Sequence, residues 1–435
     1  MKYLILLFIL FVCFSVSVSA QDRNEDGIVK VYQKNVPHID KNGNKLTKYS
    51  KTKSFFPIAL WGVPGEGEVY GKYYDWNEIQ SAGFNTVWTW GSYGVQDVLA
   101  MGEKHNLQVV VMNPRSDEEL KFADSHPNML GNVWTDEPIG RFGNGMDQLF
   151  DDYKKYISNA KKIAPNVKVF VNDAPWITEP ATEWWIKWNT YGAFACHDSY
   201  PIYNVNGEAA RSLAQGHNMP ASVDFSVSVN KEAKPQWIIV GAFDQPSEYG
   251  SSYPFRYPTP NQLRACVYTA IIHGATGIVY FAWDSFITRE GNVIAMAPNP
   301  QTDMGNGDPK YAIAKPSELV NGQACWEMTA QINKELNELA PVILSPTSKA
   351  KYSMDVTGES VTDVPIHTLL KEDSEGNYIL ITANVDASWL KTEYKFSGIK
   401  EAEKLYEDGK TIQVEDGAFT LTYEPFEVHV IKIKK

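Results

Sequence analysis

Apolar and polar positions follow two rhythms along this chain, and the change between them divides it. From about residue 55, short runs that are apolar throughout alternate with amphipathic stretches of helical period. FFPIAL, FNTVW, LQVVVM, NVWT, VKVFV, the core of YGAFACHDSYPIY, QWIIVGAF and TGIVYFAW read as eight strands. YDWNEIQSAG, GVQDVLAMGEKHN, DEELKFADSHP, MDQLFDDYKKYISNAKKIAP, the surroundings of TEWWIKWN, EAARSLAQGHN, PNQLRACVYTAIIHGA and CWEMTAQINKELNELAPVI read as the helices that follow them. Strands apolar on both faces need cover on both faces, and a helical crossover after each strand supplies it, so the sheet is predicted to be parallel. Eight such units in about 300 residues fit a closed (β/α)8 barrel. A doubly wound open sheet commonly carries a glycine-rich phosphate loop at its first strand, and no GxGxxG occurs here.

After SPTSKAK the rhythm shortens. HTLLKE, YILITANV, TEYKFS, EKLYED, TIQV, FTLTY and VHVIKIK alternate apolar and polar residues, with turns such as DSEGN and EDG between them. These runs predict an all-β sandwich of about 90 residues. At the other end, Lys2, an apolar run from Leu4 to Val18 and the small residues Val18-Ser19-Ala20 form the pattern of a removed secretory signal. The expected organisation is a signal peptide over 1–20, a barrel over 21–345 and a sandwich over 346–435. The mature protein is expected to be secreted or periplasmic, without a membrane span.

The net charge of -12 argues against nucleic acid as a partner, because no basic patch offers phosphate neutralisation. Cys196, Cys266 and Cys325 remain after cleavage, an odd count in apolar stretches that reads as buried thiols. The histidines and cysteines show no zinc spacing and no HExxH, so neither metal nor cofactor is expected. With 13 Trp and 23 Tyr in a chain only 21% charged, indoles lie near carboxylates and amides, which suits the apolar faces and polar edges of sugars.

In a barrel, chemistry gathers at the C-terminal ends of the strands. Those positions hold Trp61 and Glu66 after strand one, Trp88 and Trp90 at strand two, and Asn113 and Arg115 after strand three. Asp136 and Glu137 follow strand four; Asn172, Asp173 and Trp176 follow strand five; His197, Asp198 and Tyr200 follow strand six. Asp244, Gln245 and Glu248 follow strand seven, and Trp283 and Asp284 follow strand eight. Each has a plainer structural role open to it: a Trp can cap the barrel core, and Asp173 can cap a helix.

The segment Trp134-Thr135-Asp136-Glu137-Pro138 resembles the strand-four motif of the large clan of retaining (β/α)8-barrel glycoside hydrolases, commonly Asn-Glu-Pro, with Asp136 in place of the asparagine. The resemblance implies that Glu137 is the catalytic acid/base. It also implies a nucleophile at the end of strand seven, where this chain departs from the pattern and offers Asp244, with Glu248 four residues later. Asp198 competes as the base, and the partner of Glu137 stays open, as does retention or inversion. The same resemblance gives Trp283 the place of an indole that floors the cleavage subsite. Trp61, Trp88, Trp90, Asp136, Asp173, Trp176, Asp198 and Tyr200 are the other expected substrate contacts.

The reading is an exported hydrolase of a β-linked poly- or oligosaccharide of the glucan or galactan class. The alternative is a polysaccharide-binding barrel that has lost its catalytic pair. No GxSxG elbow supports a serine hydrolase.

Overall fold

A computed structural model describes residues 55–69, 72–91, 93–142, 145–174, 181–203, 210–215, 218–230, 234–245, 255–283, 296, 322–345, 347–407 and 411–435. The expected signal peptide, Trp176, Glu248 and Asp284 lie outside them.

The apolar runs form eight parallel strands: β1 (Ile58–Val63), β2 (Thr86–Thr89), β3 (Gln108–Met112), β4 (Met129–Asp136), β5 (Val169–Asn172), β6 (Ala195–Ser199), β7 (Gln236–Gly241) and β8 (Gly277–Phe281). Their spatial order is β5-β4-β3-β2-β1-β8-β7-β6. At the remaining seam, Ala193 N donates to Val169 O at 2.9 Å and Asp173 N to Cys196 O at 3.4 Å, which brings β5 to β6. Side chains alternate across the wall as a strand period of two requires. Ala59, Trp61, Trp237, Ile239 and Val279 fill the interior, while Ile58, Leu60, Ile238 and Val240 pack outward against the helices.

Those helices are α1 (Trp76–Ser81), α2 (Val95–Lys104), α3 (Asp117–Ser125), the short α4 (Pro138–Phe142), α5 (Met146–Ile163), α6 (Ala181–Tyr191), α7 (Met219–Asn230), α8 (Pro260–His273) and α9 (Gly322–Ile343). Local sequence sets several ends. Ser116 and Thr259 form capping boxes with Glu119 and Gln262, and Gly274 ends α8 at φ 122°, a conformation that favours glycine.

One expected helix is replaced. In EAARSLAQGHN the described residues 210–215 are not helical. Ser212 pairs antiparallel with Asp386 of the C-terminal region, and Leu213 N donates to Val385 O at 2.9 Å. The helix of this unit is α7, whose sequence MPASVDFSVSVN is poor in strong helix formers. Burial of Met219, Ser222, Val223, Ser226 and Asn230 on one face stabilises it where propensity does not.

Beyond the barrel, β9 (Tyr352–Thr357), β10 (Ile366–Glu372), β11 (Tyr378–Asn384), β12 (Leu390–Phe396), β13 (Glu401–Leu405), β14 (Thr411–Ile412), β15 (Ala418–Tyr423) and β16 (Val428–Lys434) form two antiparallel sheets. Their orders are β9-β12-β15 and β10-β11-β16-β13-β14. The alternating runs of the sequence appear here, and β9 adds a strand that they did not include. Tyr352, Leu370, Leu380, Tyr394, Phe419 and Ile431 pack between the sheets. The other face of the larger sheet, through Leu369, Ile379, Ile381 and Val430, joins the core outside the barrel. Helix α8 lies in that shared layer, and Leu263 together with the run Ala265–His273 is buried, as expected of a helix covered on all sides. Among the described residues, no helix is long and apolar enough to cross a membrane.

Candidate active site

The strand-four motif is held by β5. After Asp136 the chain leaves the barrel wall through Glu137, whose φ of 45° is left-handed, and enters α4 at Pro138. Proline lacks the N–H that a continuing ladder would use and suits the first position of a helix. Glu137 N donates to Asn172 O at 2.8 Å, and Ile139 N donates to Asp173 Oδ2 at 3.0 Å. Two consecutive residues at the end of β5 therefore fix the turn that carries Glu137. Asp173 does cap a helix, but it is α4, which follows β4 rather than its own strand.

Four carboxyl groups gather at the ends of β4, β5 and β6. Arg141, on α4, lies 2.7 Å from Asp136 Oδ2 and 3.2 Å from Glu137 Oε2. Burial is the main force on Asp136, raising its pKa to about 7; the neighbouring Glu137 raises it further, while Arg141 and Asn172 pull it down. Asp198 is 3% exposed, and burial followed by the charges of Glu137 and Asp136 holds its carboxyl well above the usual range. Asp173 is fully buried and raised for the same leading reason, with Asp198, Glu137 and Asp136 adding to it. Its Oδ1 has no hydrogen-bond partner among the described residues. Tyr200, two residues beyond Asp198, is raised by burial and then by Asp198, so its phenol stays protonated. Glu137 differs from these neighbours in exposure: 41% of its side chain is open.

Asn172, which the sequence offered only as one amide on the rim, is central. Its Nδ2 lies 3.0 Å from Asp136 Oδ1 and 3.4 Å from Asp198 Oδ1, and Cys196 Sγ lies 3.6 Å from its Oδ1. Cys196, Cys266 and Cys325 are buried free thiols.

The aromatic residues divide by the direction of their rings. Trp61 and Trp88 stack at 4.4 Å with planes 6° apart and are buried, filling the top of the barrel interior. Trp90 is half-buried against that cluster, and its indole N–H has no partner among the described residues. Tyr200 meets Phe243 edge-on at 5.2 Å and Phe255 at 5.7 Å, with Phe281 at 6.1 Å. Trp283 points the other way: its ring lies 5.3 Å from Tyr74 and 6.2 Å from Trp326 in the outer core. The expected indole floor is thus turned out of the barrel, and Phe281, at the end of β8, meets Trp61 edge-on at 5.5 Å instead. A cis peptide joins Phe281 to Ala282.

Other rim candidates have structural partners. His197 turns toward α7 and Ser222 Oγ at 3.2 Å. Glu66 pairs with Lys104 at 2.6 Å and His105 at 2.9 Å. Arg115 donates to Tyr93 O at 3.2 Å. Asp244 lies in the turn after β7 and is 6% exposed; Gln245 N, beside it, donates to Phe255 O. Among the described residues, the side chains with metal-like spacing are Glu407, Glu427 and His429, in the C-terminal sheets. Lys404 already supplies a cation there, 2.8 Å from Glu407 Oε2.

No family model and no curated protein matches the chain. Solved structures do. An AmyP variant in complex with maltotriose superposes with a TM-score of 0.50 at 11% identity, covering 87% of this chain and 97% of that one. An alpha-amylase from Geobacillus thermoleovorans complexed with acarbose gives 0.49 at 8%, covering 87% and 98%. The endo-beta-1,4-mannanase from Thermotoga petrophila gives 0.43 at 10%, covering 87% and 93%. The AmyP variant shares the fold. This chain is a (β/α)8 barrel followed by an antiparallel β domain.

Proposed function

We propose that this protein is an exported glycoside hydrolase, and that Glu137 and Asp198 are its reacting carboxyls. The carrying observation is the contrast between them at one barrel mouth. Asp198 is buried and pushed well above the usual carboxylate range, while Glu137 is 41% exposed beside Arg141. A glycosidase needs one carboxyl that arrives with a proton and one that acts as nucleophile or base, and environments that differ in this way divide the two roles. Asp198 then protonates the leaving glycosidic oxygen, and Glu137 attacks the sugar or activates water. This reverses the acid role that the sequence motif suggested for Glu137 and moves its partner from strand seven to strand six.

The proposed substrate is a β-linked glucan or galactan polymer, which suits the long, polar, aromatic-rich loops of the sequence. Release of reducing sugar from a polysaccharide panel tests the reading, with Glu137→Gln and Asp198→Asn beside the wild type. Each variant is expected to lose about 10²–10⁴ in rate while still folding cooperatively. Binding of a glycan by the wild type without any release would make the barrel a recognition module and end the hydrolase reading.

A further inference from the structure

Asn172 is 2% exposed at the end of β5 and touches carboxyls contributed by the strands on either side of it. A primary amide nitrogen carries two hydrogens and only donates. Its two neighbours here are Asp136 Oδ1 and Asp198 Oδ1, so both oxygens must act as acceptors. The orientation of the amide suits all three of its neighbours. A flip would set its oxygen against two carboxyl oxygens and its nitrogen against the Cys196 thiol, which now has Asn172 Oδ1 as its acceptor.

The two carboxyls are not equivalent. Asp136 faces Asn172 through Oδ1 and the Arg141 Nη2 donor through Oδ2 at 2.7 Å. A hydrogen on either oxygen weakens the bond that oxygen accepts from a group that only donates. Asp198 faces Asn172 through Oδ1, so a proton on that carboxyl belongs on Oδ2. The two Oδ1 atoms can be no farther apart than the 3.0 and 3.4 Å contacts laid end to end.

We propose that Asn172 is a positioning residue: its amide spaces Asp136 and Asp198, makes Asp136 the first of the two to ionise and leaves the remaining proton on Asp198 Oδ2. Its main-chain oxygen meanwhile anchors Glu137 N at 2.8 Å, so one residue registers all three carboxyls. The inference rests on the glycosidase reading for the use of that proton; the location of the proton is a property of the resting protein.

The test replaces Asn172 with Leu, which removes the donor, and with Asp, which is nearly isosteric and puts an acceptor in its place. Carboxyl titrations followed by ¹³C NMR on the resting protein are compared with the pH profile of kcat/KM. In both variants the carboxyl that titrates lowest in the Asp136–Asp198 pair is expected to move up by about one pH unit. The matching limb of the kcat/KM profile should move with it. A folded variant of either kind whose carboxyl titrations match the wild type overturns the proposal. So does a fall in kcat with an unmoved pH profile. If the wild type cleaves no glycan, the hydrolase reading fails, yet the NMR titration still decides the role of Asn172. If the Leu variant does not fold, the Asp variant carries the test.

Discussion

Glu137 N hydrogen-bonds to Asn172 O at 2.8 Å, tying the tip of β4 to the end of β5 at the point where Glu137 adopts a left-handed φ of 45°. A non-glycine residue holds that conformation at a cost of about 1 kcal/mol or more, so the surrounding structure has to impose it. Here the imposing contacts come from Asn172 and Asp173. The orientation of the proposed reacting group is therefore set by the neighbouring strand.

The first expectation concerns which strand supplies the partner of Glu137. Asp198→Asn should reduce turnover by about 10²–10⁴, the usual cost of removing a general acid. Asp244→Asn should cost far less. Initial rates on the best glycan of the panel decide it; the opposite order would return the partner to strand seven.

The stability contributed by Asp136 and Asp198 should fall as pH rises through the acidic range. Asp136 has a folded-state pKa raised to about 7, and Asp198 is raised well above its ordinary value. The unfolded reference is about 3.9, so the folded protein binds more protons than the unfolded chain above about pH 4. The contribution of these two carboxyls is then largest at the acid end and is lost as pH climbs toward 7 and beyond, by an amount on the order of a few kcal/mol. Asp136→Asn should flatten this slope and raise the melting temperature at pH 8. Thermal melts between pH 4.5 and 8 check it, and identical slopes in wild type and variant would contradict the assignment.

Trp88 is expected to behave as a core residue. It is fully buried, stacked on Trp61 and edge-on to Phe170 at 5.6 Å. Trp88→Ala should cost about 3–5 kcal/mol, read as a lower urea midpoint. A normal midpoint combined with weakened glycan binding would instead make this indole a sugar platform.

The contact between barrel and β domain should depend on Arg264. Its guanidinium lies 3.0 Å from Glu335 Oε2 and donates to Val428 O, while Tyr268 donates to the same Glu335 oxygen at 2.7 Å. Removing one member of a buried pair leaves the other charge uncompensated, so Arg264→Met should cost about 3–5 kcal/mol. The double variant Arg264→Met with Glu335→Gln should recover part of that loss in chemical denaturation. No recovery would mean that Arg264 acts through its main-chain contact alone.

The fold was legible in the sequence wherever burial has a one-dimensional signature. Strands such as QWIIVGAF, covered on both faces, are apolar throughout, and helices such as α5 that pack on them repeat their apolar residues at helical spacing. The position of Asp136 and Glu137 at the end of a barrel strand was legible for the same reason. Legibility failed at EAARSLAQGHN, where Ser212 is taken up by a backbone pairing with Asp386, and at α7, whose helix is stabilised by packing rather than propensity.

The sequence by itself determined the eight-unit barrel, the change to antiparallel strands after it and the set of polar residues delivered to the barrel mouth, because periodicity and strand ends are local properties of the chain. Only the tertiary structure decided how those residues meet. Asp198 joins Asp136 through Asn172 because β4, β5 and β6 stand side by side, a relation no local pattern encodes. Likewise, Trp283 turns outward to Tyr74 while Phe281 turns inward to Trp61, contacts between residues far apart in sequence. The raised carboxyls follow from the same cause: burial beside like charges acts through space, between strands that the chain keeps far apart in sequence.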